Sequence, residues 1–147
     1  MKSRILTALA LSGAVLASGA TASTAVQQMA SRRDMEKFTD TVMQAVAAGQ
    51  LEQAYARLKA NVTLPPQEID AALRASLAQR NAQFDARFGA AVGYELISHR
   101  KLGDSLWRFT YLEQRQKQPL VWTFQFYSTG DGWQLHEFAW TPQTADL

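Results

Sequence analysis

The sequence predicts an α+β fold in which N-terminal helices pack on one face of a curved, four-stranded antiparallel meander. Three observations carry that expectation. Apolar residues recur at helical spacing through the first half of the chain, and after Gly89 the period changes to two. The run from Leu120 to Trp140 alternates apolar and polar residues on both sides of Gly130-Asp131-Gly132, which is a β-hairpin written in sequence. Helices first and strands afterwards is the order of an α+β domain.

Residues 1–22 read as a secretory signal peptide. Lys2 and Arg4 precede an apolar run from Ile5 to Leu16, and small residues end in Ala20-Thr21-Ala22, where cleavage is expected. The apolar run is too short to span a bilayer comfortably, so a cleaved leader fits better than an anchor, and no later segment is long and apolar enough to span. The expected destination is export, with the bacterial periplasm as the home of the mature chain. There is no cysteine, which excludes disulfides, thiolate catalysis, cysteine-based metal sites and a lipid-modified N-terminal cysteine. Without Lys2 and Arg4, thirteen basic side chains face thirteen acidic ones, so the mature chain lacks the basic excess of a nucleic-acid binder. The roughly 125 residues that remain are enough for one domain with one core.

Residues 23–30 are small and polar, a flexible lead-in. Ser31-Arg32-Arg33-Asp34 has the spacing of a helix start, Met35, Phe38, Val42 and Val46 follow on one face, and Gly49 ends the element. Leu51, Ala54, Tyr55 and Leu58 make the stripe of a short second helix. Pro65-Pro66 suit the first turn of a third, because proline has no N–H to leave unsatisfied there. Ile69, Leu73, Leu77, Phe84 and Phe88 mark its apolar side, with a break near Asn81 and an end at Gly89. Four strands are expected at about 92–99, 105–113, 120–127 and 133–140, joined by short connections, in a domain spanning 31–141 with a tail at 142–147.

A register follows from the hairpins. Pairing Phe126 with Trp133 sets Phe124 against Leu135 and Trp122 against Glu137. The next hairpin pairs Trp107 with Phe126, Phe109 with Phe124 and Tyr111 with Trp122. The first sets Ser98 against Trp107, Leu96 against Phe109 and Tyr94 against Tyr111. One face is then almost wholly aromatic and aliphatic. The other mixes Glu95, Arg108, Thr110, Thr123, Gln125, Gln134 and His136 with Ile97, Leu112, Val121, Phe138 and Trp140.

Three helices, a meander of four long strands, Gly130-Asp131-Gly132-Trp133 between the last two, and an aromatic-rich final strand resemble the nuclear transport factor 2-like superfamily, particularly its small exported bacterial members. The resemblance implies a cystatin-like cone whose open end holds a ligand or an active site in enzyme members such as the ketosteroid isomerases and small dehydratases. It also implies homodimerisation through the outer sheet face.

The expected row of Tyr94, Tyr111, Trp122 and Glu137 is the sharpest candidate site. A carboxylate among aromatic rings has its ionised form disfavoured, which suits acid or base catalysis by Glu137, with Tyr94, Tyr111 and Trp122 binding the ligand. The bland alternatives are that Glu137 is wet at the sheet's mouth or paired with Arg80 or Arg87, and that the aromatics are plain core. Two histidines, His99 and His136, both expected on the outer face, cannot make a three-histidine zinc site; no metal and no cofactor is expected. No phosphate loop, nucleophile elbow or metalloprotease motif occurs. Three functional readings follow: a non-catalytic binding or protein-interaction module, whose small-molecule ligand would be apolar; a small isomerase, dehydratase or hydrolase built on Glu137; and a subunit docking on a larger envelope complex.

Overall fold

The computed structural model describes residues 26–80, 82–145 and 147. The signal peptide expected over 1–22 lies outside the described residues, whereas the long third helix is broken near Asn81 as expected, one helix ending at Gln79 and the next beginning at Ala82. Four helices, α1 (Arg32–Ala47), α2 (Leu51–Asn61), α3 (Pro66–Gln79) and α4 (Ala82–Phe88), precede four strands, β1 (Ala91–Leu102), β2 (Leu106–Arg115), β3 (Leu120–Ser128) and β4 (Trp133–Thr141). The strands form one antiparallel sheet in the order β1-β2-β3-β4, the meander expected from the short connections. None of the helices among the described residues is long and apolar enough to cross a membrane.

α1 begins where the capping signal lies. Ser31 is extended, its Oγ accepts the Asp34 N–H at 3.2 Å, and its hydroxyl donates to the Asp34 carboxylate at 2.7 Å. Ser31→Ala is expected to cost about 1 kcal/mol, read as a lower midpoint in urea titration. The helix buries Met35, Thr39, Val42, Met43 and Val46 and stops at Gly49, whose φ of 74° is the left-handed conformation glycine adopts freely.

On α3 the expected stripe drifts. Ile69 and Ser76 are buried, whereas Leu77 is 38% exposed. At about 100° per residue, seven residues fall about 20° short of two turns and eight overshoot by about 80°, so position 76 rather than 77 follows 69 onto the core.

The inner sheet face meets the helices in a core that includes Phe109, Tyr111, Trp122, Phe124 and Phe126, all fully buried. α4 adds a smaller cluster of Phe84, Phe88 and Leu120. Gly89, which follows α4, has φ 78°, and a Cβ built there would lie 2.7 Å from Cβ of Gln116. Both conformation and space thus require glycine, and Gly89→Ala is expected to destabilise by more than about 1 kcal/mol in thermal unfolding.

The β2–β3 register is the expected one, with Trp107 opposite Phe126, Phe109 opposite Phe124 and Tyr111 opposite Trp122. The two flanking hairpins differ. In β3–β4, Ser128 faces Trp133, Phe126 faces Leu135 and Gln125 faces Glu137, with His136 as the extra residue of a bulge. That one-residue offset flips every later side chain to the opposite face. Phe138 and Trp140, expected outside, turn inward to pack on Tyr55 and Phe84, with ring centroids 5.5 and 5.9 Å apart. Glu137, expected inside, turns outward.

In β1–β2, Lys101 faces Trp107, His99 faces Phe109, Leu96 faces Tyr111 and Tyr94 faces Glu113, with a register shift at Ile97. His99 therefore lies on the inner side, its ring 5.9 Å from Trp107 and 6.0 Å from Phe109, and not on the outer face as expected.

The two sheet edges are treated differently. At β4, Trp133 exchanges hydrogen bonds with Met29 at 2.8 and 2.9 Å, and the Leu135 carbonyl accepts from the Thr63 N–H at 3.2 Å. The end of the lead-in is thereby docked, with Met29 buried. β1 is the open edge, blunted by its bulges and by Glu95, Arg100 and Lys101.

Candidate functional site

Among the described residues, the carboxylate buried in the interior is Glu113. Trp107, Phe109, Tyr111 and Glu113 alternate on the same face of β2, which carries the carboxylate onto the core side, where it is fully buried. Arg80 reaches it from the end of α3, with Nη1 and Nη2 donating to the two carboxylate oxygens at 3.1 and 2.7 Å. Trp122 Nε1 donates at 2.8 Å, and Arg115 Nη1, two residues along the strand, donates at 2.8 Å. Four N–H groups thus occupy a carboxylate that offers about four lone-pair sites.

The cations are as carefully held. The Arg80 guanidinium lies 4.8 Å from the ring centroid of Trp140, 5.0 Å from Phe84 and 5.5 Å from Trp122, an aromatic cage that substitutes for part of its hydration. Arg80 Nε is buried without a hydrogen-bond partner. Arg115 donates from Nε to the Gly89 carbonyl at 2.8 Å, pairs with Asp85 through Nη2, and packs 4.9 Å from the Phe84 ring.

Burial opposes the charge on Glu113, but the hydrogen bonds and charge of Arg80, with the Trp122 and Arg115 hydrogen bonds, outweigh it and hold the carboxyl below its ordinary range. A carboxylate that is saturated with donors and ionised at neutral pH is poorly suited to accept or give protons. The cluster instead clamps α3 and α4 to β2.

The row expected to hold the site does not form. At the level of Tyr111 and Trp122 the sheet reads Leu96, Tyr111, Trp122, Trp140. Tyr111 and Trp122 are fully buried, while Glu137 is exposed on the outer face and accepts from Gln125 Nε2 at 2.9 Å. Neither Arg80 nor Arg87 pairs with it: Arg80 holds Glu113, and the Arg87 guanidinium lies 4.9 Å from the Phe88 ring. His136 is exposed beside Tyr127, ring centroids 6.3 Å apart.

Tyr94 stays close to Tyr111, with centroids 6.2 Å apart, and is half-buried. The Tyr111 hydroxyl donates to Asp40 Oδ1 at 2.9 Å and lies 2.8 Å from Thr39 Oγ1; burial first, then Asp40, raises its pKa. Burial and Asp40 likewise raise that of Tyr94. Tyr94 and Asp40 border an open groove of about 500 Å³ along the charged side of α1, where Arg33 and Lys37 also lie.

A second open groove of about 410 Å³ runs between α3 and β4, with Ala72, Ala75, Phe138 and Trp140 in its lining. At its floor the Tyr55 hydroxyl and Trp140 Nε1, the latter at 3.1 Å, both bond to Ser76 Oγ. Among the described residues no cluster of histidine, aspartate and glutamate has the arrangement to hold a metal ion.

The chain matches no family profile, no curated protein and no solved structure.

Proposed function

We propose that this chain is an exported, non-catalytic binding or protein-interaction module of nuclear transport factor 2-like type, which presents the outer face of its sheet to a protein partner. The observation that supports this most is the filled interior. Trp122, Tyr111, Phe109, Phe124 and Phe126 close the volume in which a cone enzyme would hold its substrate, and Glu113, the carboxylate buried there among the described residues, is locked between two arginines. Function then belongs to the surface. The order of helices and strands, with the Gly130-Asp131-Gly132-Trp133 turn, supports the superfamily reading, and the leader-like residues 1–22 support export.

An apolar small molecule is the second reading, and the α3–β4 groove favours it through its alanine and aromatic lining.

The test is to purify the chain from residue 23 onward and size it by native mass spectrometry. A protein partner or a second copy, with no stoichiometric small molecule, is the expected result. A tightly held small molecule, or turnover of an isomerase, dehydratase or hydrolase substrate that Glu137→Gln abolishes, would overturn the non-catalytic protein-binding reading.

A further inference from the structure

The guanidinium groups that clamp Glu113 also border open space. A hollow of about 310 Å³ lies where the end of α1, the start of α2 and the α3–α4 junction meet, and its lining joins apolar Val46, Leu77 and Phe84 to the side chains of Arg80 and Arg115. That volume is at the small end of ligand pockets. Two groups on it are left unused by the fold. Leu77, which the drift of α3 leaves off the core, is 38% exposed, and covering it would remove apolar surface from water. Arg80, with its side chain only 10% exposed, keeps an Nε–H that has no acceptor among the described residues, and a buried donor left without a partner is destabilising.

The hollow already has a seat for an anion, and it is loosely filled. The Arg115 side chain is 5% exposed, whereas the Asp85 carboxylate paired with its Nη2 is 70% exposed. A pair with one member so open to water is weakly held. When Asp85 turns away, Arg115 still has Glu113 and the Gly89 carbonyl. A carboxylate arriving with an apolar body makes the bond that Asp85 makes and covers Leu77 as well. A dianion such as a phosphate fits less well, because Glu52 and Asp85, both exposed, also line the hollow and would face it with like charge.

We propose that this hollow binds a small apolar monocarboxylic acid, whose carboxylate takes the place of Asp85 on Arg115 while its hydrocarbon part lies against Leu77. The planar guanidinium suits a carboxylate, and the unpartnered Nε–H of Arg80 is the remaining donor for its second oxygen. The site goes beyond the outer-face reading and shares no lining residue with the α3–β4 groove.

Calorimetric titration of octanoate into the purified protein at low salt tests the proposal, with octanamide as the uncharged control and circular dichroism confirming that each variant is folded. Octanoate should bind with a Kd below about 1 mM, and octanamide at least about tenfold more weakly. Asp85→Asn, at an exposed position, should tighten octanoate at least about threefold, because the seat no longer has to be emptied first. Leu77→Glu, also exposed, should weaken it at least about tenfold by setting a carboxylate against the ligand. Ala75→Glu, in the α3–β4 groove, should leave the affinity unchanged. No binding of octanoate up to about 5 mM by either wild type or Asp85→Asn overturns the proposal. Equal binding of octanamide overturns it as well, since the guanidinium is then not read, and so does an octanoate affinity that Asp85→Asn does not raise. Affinity lost in Ala75→Glu but kept in Leu77→Glu puts the molecule in the other groove and overturns this site. A ligand of such modest affinity exchanges during purification, so none of these outcomes touches the outer-face reading, which native mass spectrometry decides separately.

Discussion

Glu113→Gln is expected to lower the stability of the folded chain by about 3–5 kcal/mol, a loss that equilibrium denaturation would register as a large drop in midpoint. The substitution keeps shape and volume, so packing is not the cause. It leaves Arg80, whose side chain is only 10% exposed, facing a neutral amide, and it deprives Arg115, 5% exposed, of one of its two carboxylates. An uncompensated buried cation is the costly product. Replacing both members, Glu113→Leu with Arg80→Met, should be less damaging than Glu113→Leu alone, since the buried Arg80 charge then leaves together with its carboxylate while Arg115 keeps Asp85.

The same cluster sets a pH dependence. The Glu113 carboxyl titrates below its ordinary value of 4.5 in the folded chain. Between the two values the unfolded chain binds more protons than the folded one, so acid favours unfolding. The stabilisation is complete above about pH 4.5 and is lost as pH falls through the lowered folded-state value. A pH series on Glu113→Gln should lack this component; an unchanged acid profile would show that Glu113 is not held ionised by the two arginines.

Trp122→Ala is the second large effect, about 3–5 kcal/mol. The indole is fully buried, stacks on Phe124 with planes 16° apart, lies under Arg80, and donates its N–H to Glu113. Truncation opens a cavity and removes one donor from a buried carboxylate at once. Trp122→Phe restores part of the volume but not the donor, so its thermal midpoint should lie between those of wild type and Trp122→Ala. A Trp122→Ala midpoint within about 2 °C of wild type would mean that the ring does not occupy the core.

Much of the sheet was legible because alternation at period two is a local property, and the β2–β3 pairing came out right for that reason. The two outer hairpins did not, because a bulge adds one residue to one strand, leaves the local pattern intact, and inverts the faces beyond it. His136 and Ile97 carry no signal that marks them as the extra residues. Phe138 and Trp140 did carry a hint, since placing two large aromatics on the outer face leaves an apolar patch that only the tail, the lead-in or a partner could cover. Glu113 was legible too, two residues beyond Tyr111 on the inner parity, with Arg115 two further on. It was missed because a charged residue at a strand's end reads as the beginning of a turn. Arg80 was named as a cation able to hold a core carboxylate, but for Glu137.

By itself the sequence determined the α+β order, the starts and stops of the elements, and the central hairpin pairing, because capping, prolines, glycines and periodicity act over a few residues. Tertiary structure alone decided which carboxylate is inside, because that depends on bulges whose cost is repaid only when Phe138 and Trp140 reach the helices. It likewise decided that Arg80 and Arg115 converge on Glu113: they come from elements separated in sequence, and only the packed core brings opposite charges close enough, and dry enough, to hold one another.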